Sequence, residues 1–233
     1  MRRFKSRFSN KLFLKRIFGF LLLTWFVSFY PSCSSQPVQF ELVRQDLSRI
    51  KHAQELLPGI YKTSALKTFE GDLKMAEYIE KYIKQENPEL NAQELTQTIL
   101  KVSFEYGYDP VFLLAVIKTE SKFNPNTIGS AGEIGLMQIK PKTAEWICKK
   151  RKIPWLGATK MRNPNYNIIV GAHYFHYLKV ALDSESLRYI NAYNVGINNL
   201  QRLPSTSHKK IPYFGRVISN YLGIYKALQK FRS

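Results

Sequence analysis

Asp109-Pro-Val-Phe-Leu-Leu-Ala-Val-Ile-Lys-Thr-Glu-Ser-Lys-Phe-Asn-Pro125 is the segment from which the rest of this chain is best approached. Asp109-Pro110 is a helix start. Asp can accept from free backbone N–H groups at the N-cap, and Pro at the first position forfeits no hydrogen bond. Val111 to Ile117 are all apolar, which leaves no solvated face, so the helix is expected to be buried. Phe123-Asn124-Pro125 is expected to stop it. Glu120 then sits near the C-terminal end of a core helix, one turn beyond Val116 and Ile117. Apolar surroundings disfavour the carboxylate, and so does the negative end of the helix dipole. Both effects raise the pKa, as a general acid working near neutral pH requires.

Downstream, Gly129, Gly132 and Gly135 allow a tight loop. A phosphate cradle does not fit them. No strand pattern precedes the glycines, the spacing is not G-x-G-x-x-G, and Glu133 would repel phosphate. Met137 offers an adaptable apolar contact and Gln138 an amide, though from the residues alone core filling and a surface amide are the preferred readings of these two. Tyr193 and Asn194 close a helix over 187–194 that Gly196 should stop. Tyr213 follows Pro212 at the start of a last helix.

These blocks together resemble the catalytic stretch of the soluble lytic transglycosylase family. They are Glu120-Ser121 with Phe123-Asn124-Pro125, then Ser130-Ala-Gly132 leading to Gly135-Leu-Met-Gln138, Pro141 and Thr143-Ala144, then Ala192-Tyr-Asn-Val-Gly196, then Tyr213-Phe-Gly-Arg-Val217. Asn163-Pro164, Asn167-Ile168 and Gly171-Ala172 fit a helix the family places between the second and third blocks. The resemblance covers about residues 95–230. It implies a mainly α, lysozyme-like domain with a Gly-rich loop or short hairpin. It implies a lyase that cuts the bond between N-acetylmuramic acid and N-acetylglucosamine in peptidoglycan and leaves a 1,6-anhydro product, with no cofactor. By the same resemblance Glu120 is the catalytic acid and then base, Tyr213 and Ser130 lie near its carboxyl, and Met137, Gln138, Tyr193 and Asn194 bind the glycan. Glu133 stands where the family usually has Ala, and Ile197-Asn198 replace the usual Pro-Gly. Neither Glu105 nor Glu133 matches a second catalytic carboxyl. A hydrolase using Glu120 with water, and a non-catalytic wall-binding protein, stay open beside the lyase.

The N-terminus reads as a leader. Met1 to Arg16 hold seven Lys/Arg and no acid, and residues 17–30 form an apolar run that is short for a membrane span. Cys33 follows a small residue, as at a lipoprotein cleavage site, although Tyr30 and Pro31 fit that pattern poorly. Lipidation at Cys33, ordinary cleavage and an uncleaved anchor all remain open. Each places the body in the cell envelope, outside the cytoplasm. Residues 1–33 are therefore assigned to the leader, 34–94 to a helical N-terminal extension, and 95–233 to the catalytic domain. The extension either packs on the domain or serves as an arm for a protein partner.

The formal net charge is +18, of which the leader accounts for seven, leaving about +11 for the body. Such a surface favours an anionic partner: the membrane, or the carboxylates of peptidoglycan stem peptides. Lys149-Lys-Arg-Lys152 reads as a solvated helix end, and with no nucleic-acid-binding motif beside it nucleic acid is not expected. Cys148 is expected to be a small buried residue. His173 and His176, three apart among aromatic neighbours, are read as packing rather than as a metal site. Helices are expected over 38–57, 65–85, from a capping box at Asn91 to Tyr106, from Pro141 to Lys150, and from Pro164 to Ala181, with a last one from Pro212 to Phe231.

Overall fold

The computed structural model describes residues 47–60 and 69–232, and these belong to the compact unit Leu42–Ser233. The leader, Cys33 and the first part of the extension lie outside the described residues. Residues 47–56 are helical (α1). Next come α2 (Phe69–Glu86), α3 (Ala92–Tyr106), α4 (Pro110–Ser121), α5 (Pro141–Arg151), a 3-10 turn (Ala158–Arg162) and α6 (Pro164–Ala181). Then follow α7 (Ser186–Val195), two short helices α8 (Ile197–Arg202) and α9 (Ser205–His208), and the long α10 (Pro212–Arg232). The described part is almost wholly helical, as expected.

The start of α4 follows its sequence closely. Asp109 caps it by accepting from the Val111 N–H at 2.8 Å, and Pro110 stands at the first position. Val111 through Ile117 are fully buried. The stop falls earlier than expected, at Lys122, whose φ of 52° is left-handed; Phe123, at 62°, continues the turn. Asp109 does more than cap. Its second carboxylate oxygen accepts from Tyr221 of α10 at 2.9 Å, and its N–H donates to His52 Nδ1 of α1 at 3.3 Å. His52 then carries its proton on Nε2 and shares it with Tyr189 of α7 at 2.8 Å. Burial, helped by Lys179, pushes His52 well below its ordinary pKa, so it is neutral. One buried polar network thus fixes the N-terminal end of α4 against α1, α7 and α10.

Helices α1 and α2 pack into the same core as the helices that follow. Leu56 of α1, Leu57 just after it, and Ile79 and Ile83 of α2 are buried in the common core, and the Tyr78 hydroxyl donates to the Ile224 carbonyl of α10 at 2.9 Å. The capping box holds at α3, where Asn91 accepts from the Glu94 N–H and Gly107 ends the helix in the left-handed region.

Between α4 and α5 the chain forms a glycine-rich loop. Isolated antiparallel bridges join Ile134 to Ile128 and to Ile139, without full strands. Gly132 and Gly135 have φ of 81° and 82°, whereas Gly129 does not need positive φ. At Gly135 a Cβ would also come within 2.4 Å of the Met161 carbonyl oxygen and 2.5 Å of the Asn167 amide. Gly135→Ala is therefore expected to cost about 2–4 kcal/mol and to lower the melting temperature. A melting curve within a degree of wild type would show that the loop is not pinned there.

Candidate active site

Glu120 lies on the last turn of α4, where that helix emerges from the core into a polar cleft of about 440 Å³. The cleft is also lined by Ser130, Glu133 and Gln138 from the loop, Thr143 from α5, and Tyr193 and Asn194 from α7. Tyr174 of α6 and Asn199 of α8 complete the wall, so segments from across the domain meet around one carboxyl.

Burial pushes the Glu120 pKa up to about 7 from its ordinary 4.5, and Glu133 adds to the rise. A hydrogen bond from Tyr213 and the charge of Arg216 oppose it. The raised acid anticipated from the apolar helix is present, with desolvation as its main cause. The Tyr213 hydroxyl donates to Glu120 Oε1, which leaves Oε2 as the oxygen able to carry a proton into the cleft. Tyr213 is itself buried, on the first turn of α10.

Glu133 behaves oppositely. Partial burial works against ionisation, but hydrogen bonds from the backbone N–H groups of Glu133 and Ala131 and the nearby Lys140 hold its carboxyl below the ordinary value. The Lys140 ammonium lies 3.5 Å away. One cleft therefore holds, at neutral pH, a carboxyl that keeps its proton in part of the molecules beside one that is ionised.

Of the residues named from sequence, Ser130, Gln138, Tyr193 and Asn194 line the cleft with Glu120. Gln138 uses its amide N–H groups on the Thr127 and Gly135 carbonyls, at 3.0 and 2.8 Å, so its oxygen is the group it offers to a ligand. Tyr193 stacks on Phe175 with ring centroids 3.9 Å apart and donates to the Met137 carbonyl at 2.8 Å. Met137 departs from its expected place. Its side chain is fully buried against Gly171 and does not line the cleft. It supports Tyr193 through its backbone instead. No hydrogen bond links Ser130 to Glu120 among the described residues; Ser130 faces the cleft from the exposed loop.

The sequence marks Asn167 only as part of a matching helix, without a role of its own. This fully buried residue of α6 accepts from the Met137 N–H at 2.7 Å and donates to the Ile134 and Met161 carbonyls at 2.9 and 2.8 Å. It is the strut that holds the Gly-rich loop against the body. Elsewhere, Cys148 is buried as expected, and His173 bonds Tyr106 while His176 stacks on it.

A sequence profile of the transglycosylase SLT domain matches residues 97–212. Membrane-bound lytic murein transglycosylase C of Glaesserella parasuis serovar 5 (strain SH0165) is 33% identical over 126 residues, which cover 49% of this chain and 34% of that protein. The chain thus spans about a third of the length of that relative. Three solved structures show the same fold at low identity. An inactive Glu-to-Gln mutant of lytic transglycosylase Slt from Pseudomonas aeruginosa has a TM-score of 0.51 and 19% identity, covering 68% of this chain and 29% of that one. The 70 kDa soluble lytic transglycosylase of Escherichia coli has a TM-score of 0.51 and 20% identity, covering 73% and 32%. A 70 kDa soluble lytic transglycosylase in complex with bulgecin A scores 0.52 at 21% identity, covering 71% and 31%. Through residues 97–212 the chain belongs to the transglycosylase SLT domain family, on a lysozyme-like helical fold.

Proposed function

We propose that this protein is a peptidoglycan lytic transglycosylase with Glu120 as acid and then base. The observation that carries the reading is the Glu120 carboxyl, held at a pKa of about 7 in a polar cleft and oriented by the Tyr213 hydroxyl. A Glu-to-Gln form of the Pseudomonas Slt is inactive, which supports an essential glutamate in a protein of this fold.

Glu120 donates its proton to the glycosidic oxygen between N-acetylmuramic acid and N-acetylglucosamine, and the C1–O bond breaks. The 2-acetamido carbonyl of the muramic acid supports the cation at C1. The Glu120 carboxylate then takes the proton of the same sugar's C6 hydroxyl, whose oxygen closes on C1. The proton is back on Glu120 and no water is consumed. Ring closure by an attached hydroxyl outcompetes water because its effective concentration is high. Gln138, Asn194 and Ser130 supply hydrogen bonds to hydroxyl and acetamido groups, and Tyr193 supplies an apolar edge.

Glu133 favours a second reading. An ionised carboxyl in the same cleft could activate water, which would make the protein a hydrolase. Digestion of purified sacculi followed by mass spectrometry separates the two. The lyase leaves muramic ends one water lighter than hydrolysis does, and fragments of hydrolytic mass would sink the lyase reading.

Tyr213→Phe tests the orientation of the acid. The lost hydrogen bond normally lowers the Glu120 pKa, so the fall of kcat/KM with rising pH should move to higher pH in the variant. At neutral pH kcat should drop about 10–100-fold. An unmoved pH profile would place Tyr213 outside the acid's environment.

The named relative is membrane-bound. We place this chain likewise in the cell envelope, held by its leader or by a lipid on Cys33. No described helix is long and apolar enough to cross a membrane.

A further inference from the structure

We propose that Trp146 and Tyr177 form a distal sugar platform that makes the enzyme favour long glycan strands; this rests on the glycan-cleaving reading above. The cleft around Glu120 runs into a second hollow of about 580 Å³, and the two share Thr143, Tyr174, Gly196 and Asn199 in their walls. The far hollow adds Trp146, Tyr177, Lys142 and Asn198. A strand seated at Glu120 and extending past Tyr174 enters this space.

The platform is built rather than incidental. Trp146 is 43% exposed, unusual for so large an apolar side chain, yet it is not loose. Its ring meets Tyr177 edge-on at 4.7 Å, and the Lys150 ammonium lies 5.6 Å from the Trp146 centroid and 5.3 Å from that of Tyr177. A braced, exposed indole is preorganised for the apolar face of a pyranose ring. Tyr174 and Tyr177 are three apart on α6, so they share a face, and Tyr174 packs on Tyr193 at 5.3 Å. Aromatic rings therefore continue from beside Glu120 to Trp146. Asn198, Asn199 and Lys142 bring donors and an acceptor to the same hollow, matching hydroxyl and acetamido groups. The replacement of Pro-Gly by Ile197-Asn198 falls in this wall, giving it a side-chain amide where the usual pair has none.

The test uses peptide-free glycan oligomers of two to eight sugars with the full chain. Wild type should show kcat/KM rising with length. In Trp146→Ala the ratio of kcat/KM on the longest strand to that on the shortest cleaved strand should fall about tenfold. Lys142→Ala, a change at an exposed position, should lower the same ratio by a smaller factor. In the Glu120→Gln background, calorimetric titration with the eight-sugar strand should show the same Trp146-dependent loss of affinity, so the inference stands or falls even if wild type cleaves nothing. A length ratio and an affinity that Trp146→Ala leaves unchanged would overturn it. So would equal losses on short and long strands, which mark a structural role. Dependence on Trp146 that appears with stem peptides attached and vanishes without them would assign the hollow to peptide and also overturn it.

Discussion

Glu120→Gln is expected to abolish glycan cleavage, by at least about a thousandfold, while making the folded protein more stable above pH 7. The two effects share one cause. In the folded chain the carboxyl gives up its proton at about pH 7, against an ordinary 4.5. Stability is therefore full below pH 4.5, declines as pH rises through the window from 4.5 to about 7, and stays reduced beyond it. That window is worth roughly 3 kcal/mol at pH 8. Gln has no proton to lose and still accepts from Tyr213. Denaturant unfolding at pH 8 should find the variant more stable than wild type, and the gap should close at pH 4. A variant that is inactive and less stable at both pH values would mean that the substitution damages the fold, and the loss of activity would then say nothing about acid catalysis.

Asn167→Ala should be the most damaging single change outside the cleft. It strands the Met137 N–H and the Ile134 and Met161 carbonyls, the partners of the Asn167 amide. Three interrupted bonds at a fully buried position should cost about 3–5 kcal/mol, or roughly 10 °C in melting temperature. Activity should fall with it at temperatures where the variant is still folded, because the same loop carries Ser130, Glu133 and Gln138 into the cleft. Asn167→Asp should not rescue, since a carboxylate has no N–H to give the two carbonyls. Unchanged melting in Asn167→Ala would remove the strut from the account.

The helices were legible where chemistry is local. Asp109-Pro110 marks a start, Gly107 a stop, and Pro stands at the first position of α4, α5 and α6. Glu120 was legible too, because an acid closing a wholly apolar helix is an anomaly on its face. What the sequence hid is non-local or short. Asn167 bonds residues 6 to 33 positions away, and no local pattern reports that. The helices α8 and α9, six and four residues long, are too brief to show a period. The stop of α4 at Lys122 relies on a left-handed lysine, a conformation its side chain does not announce. The family resemblance implies glycan contact for both Met137 and Gln138, yet the turn at 135–138, with Gln138 at φ 46°, sends them different ways. Met137 goes into the core and Gln138 to the cleft.

The central claim is that one buried carboxyl keeps its proton in a large share of molecules at neutral pH and serves as acid and then base. Carbon-13 NMR titration of the Glu side chains, assigned to Glu120 by the resonance missing from Glu120→Gln, tests it most directly. The account predicts a midpoint of about 7. A Glu120 midpoint at the ordinary 4.5 would leave no proton on it at neutral pH and would contradict the account.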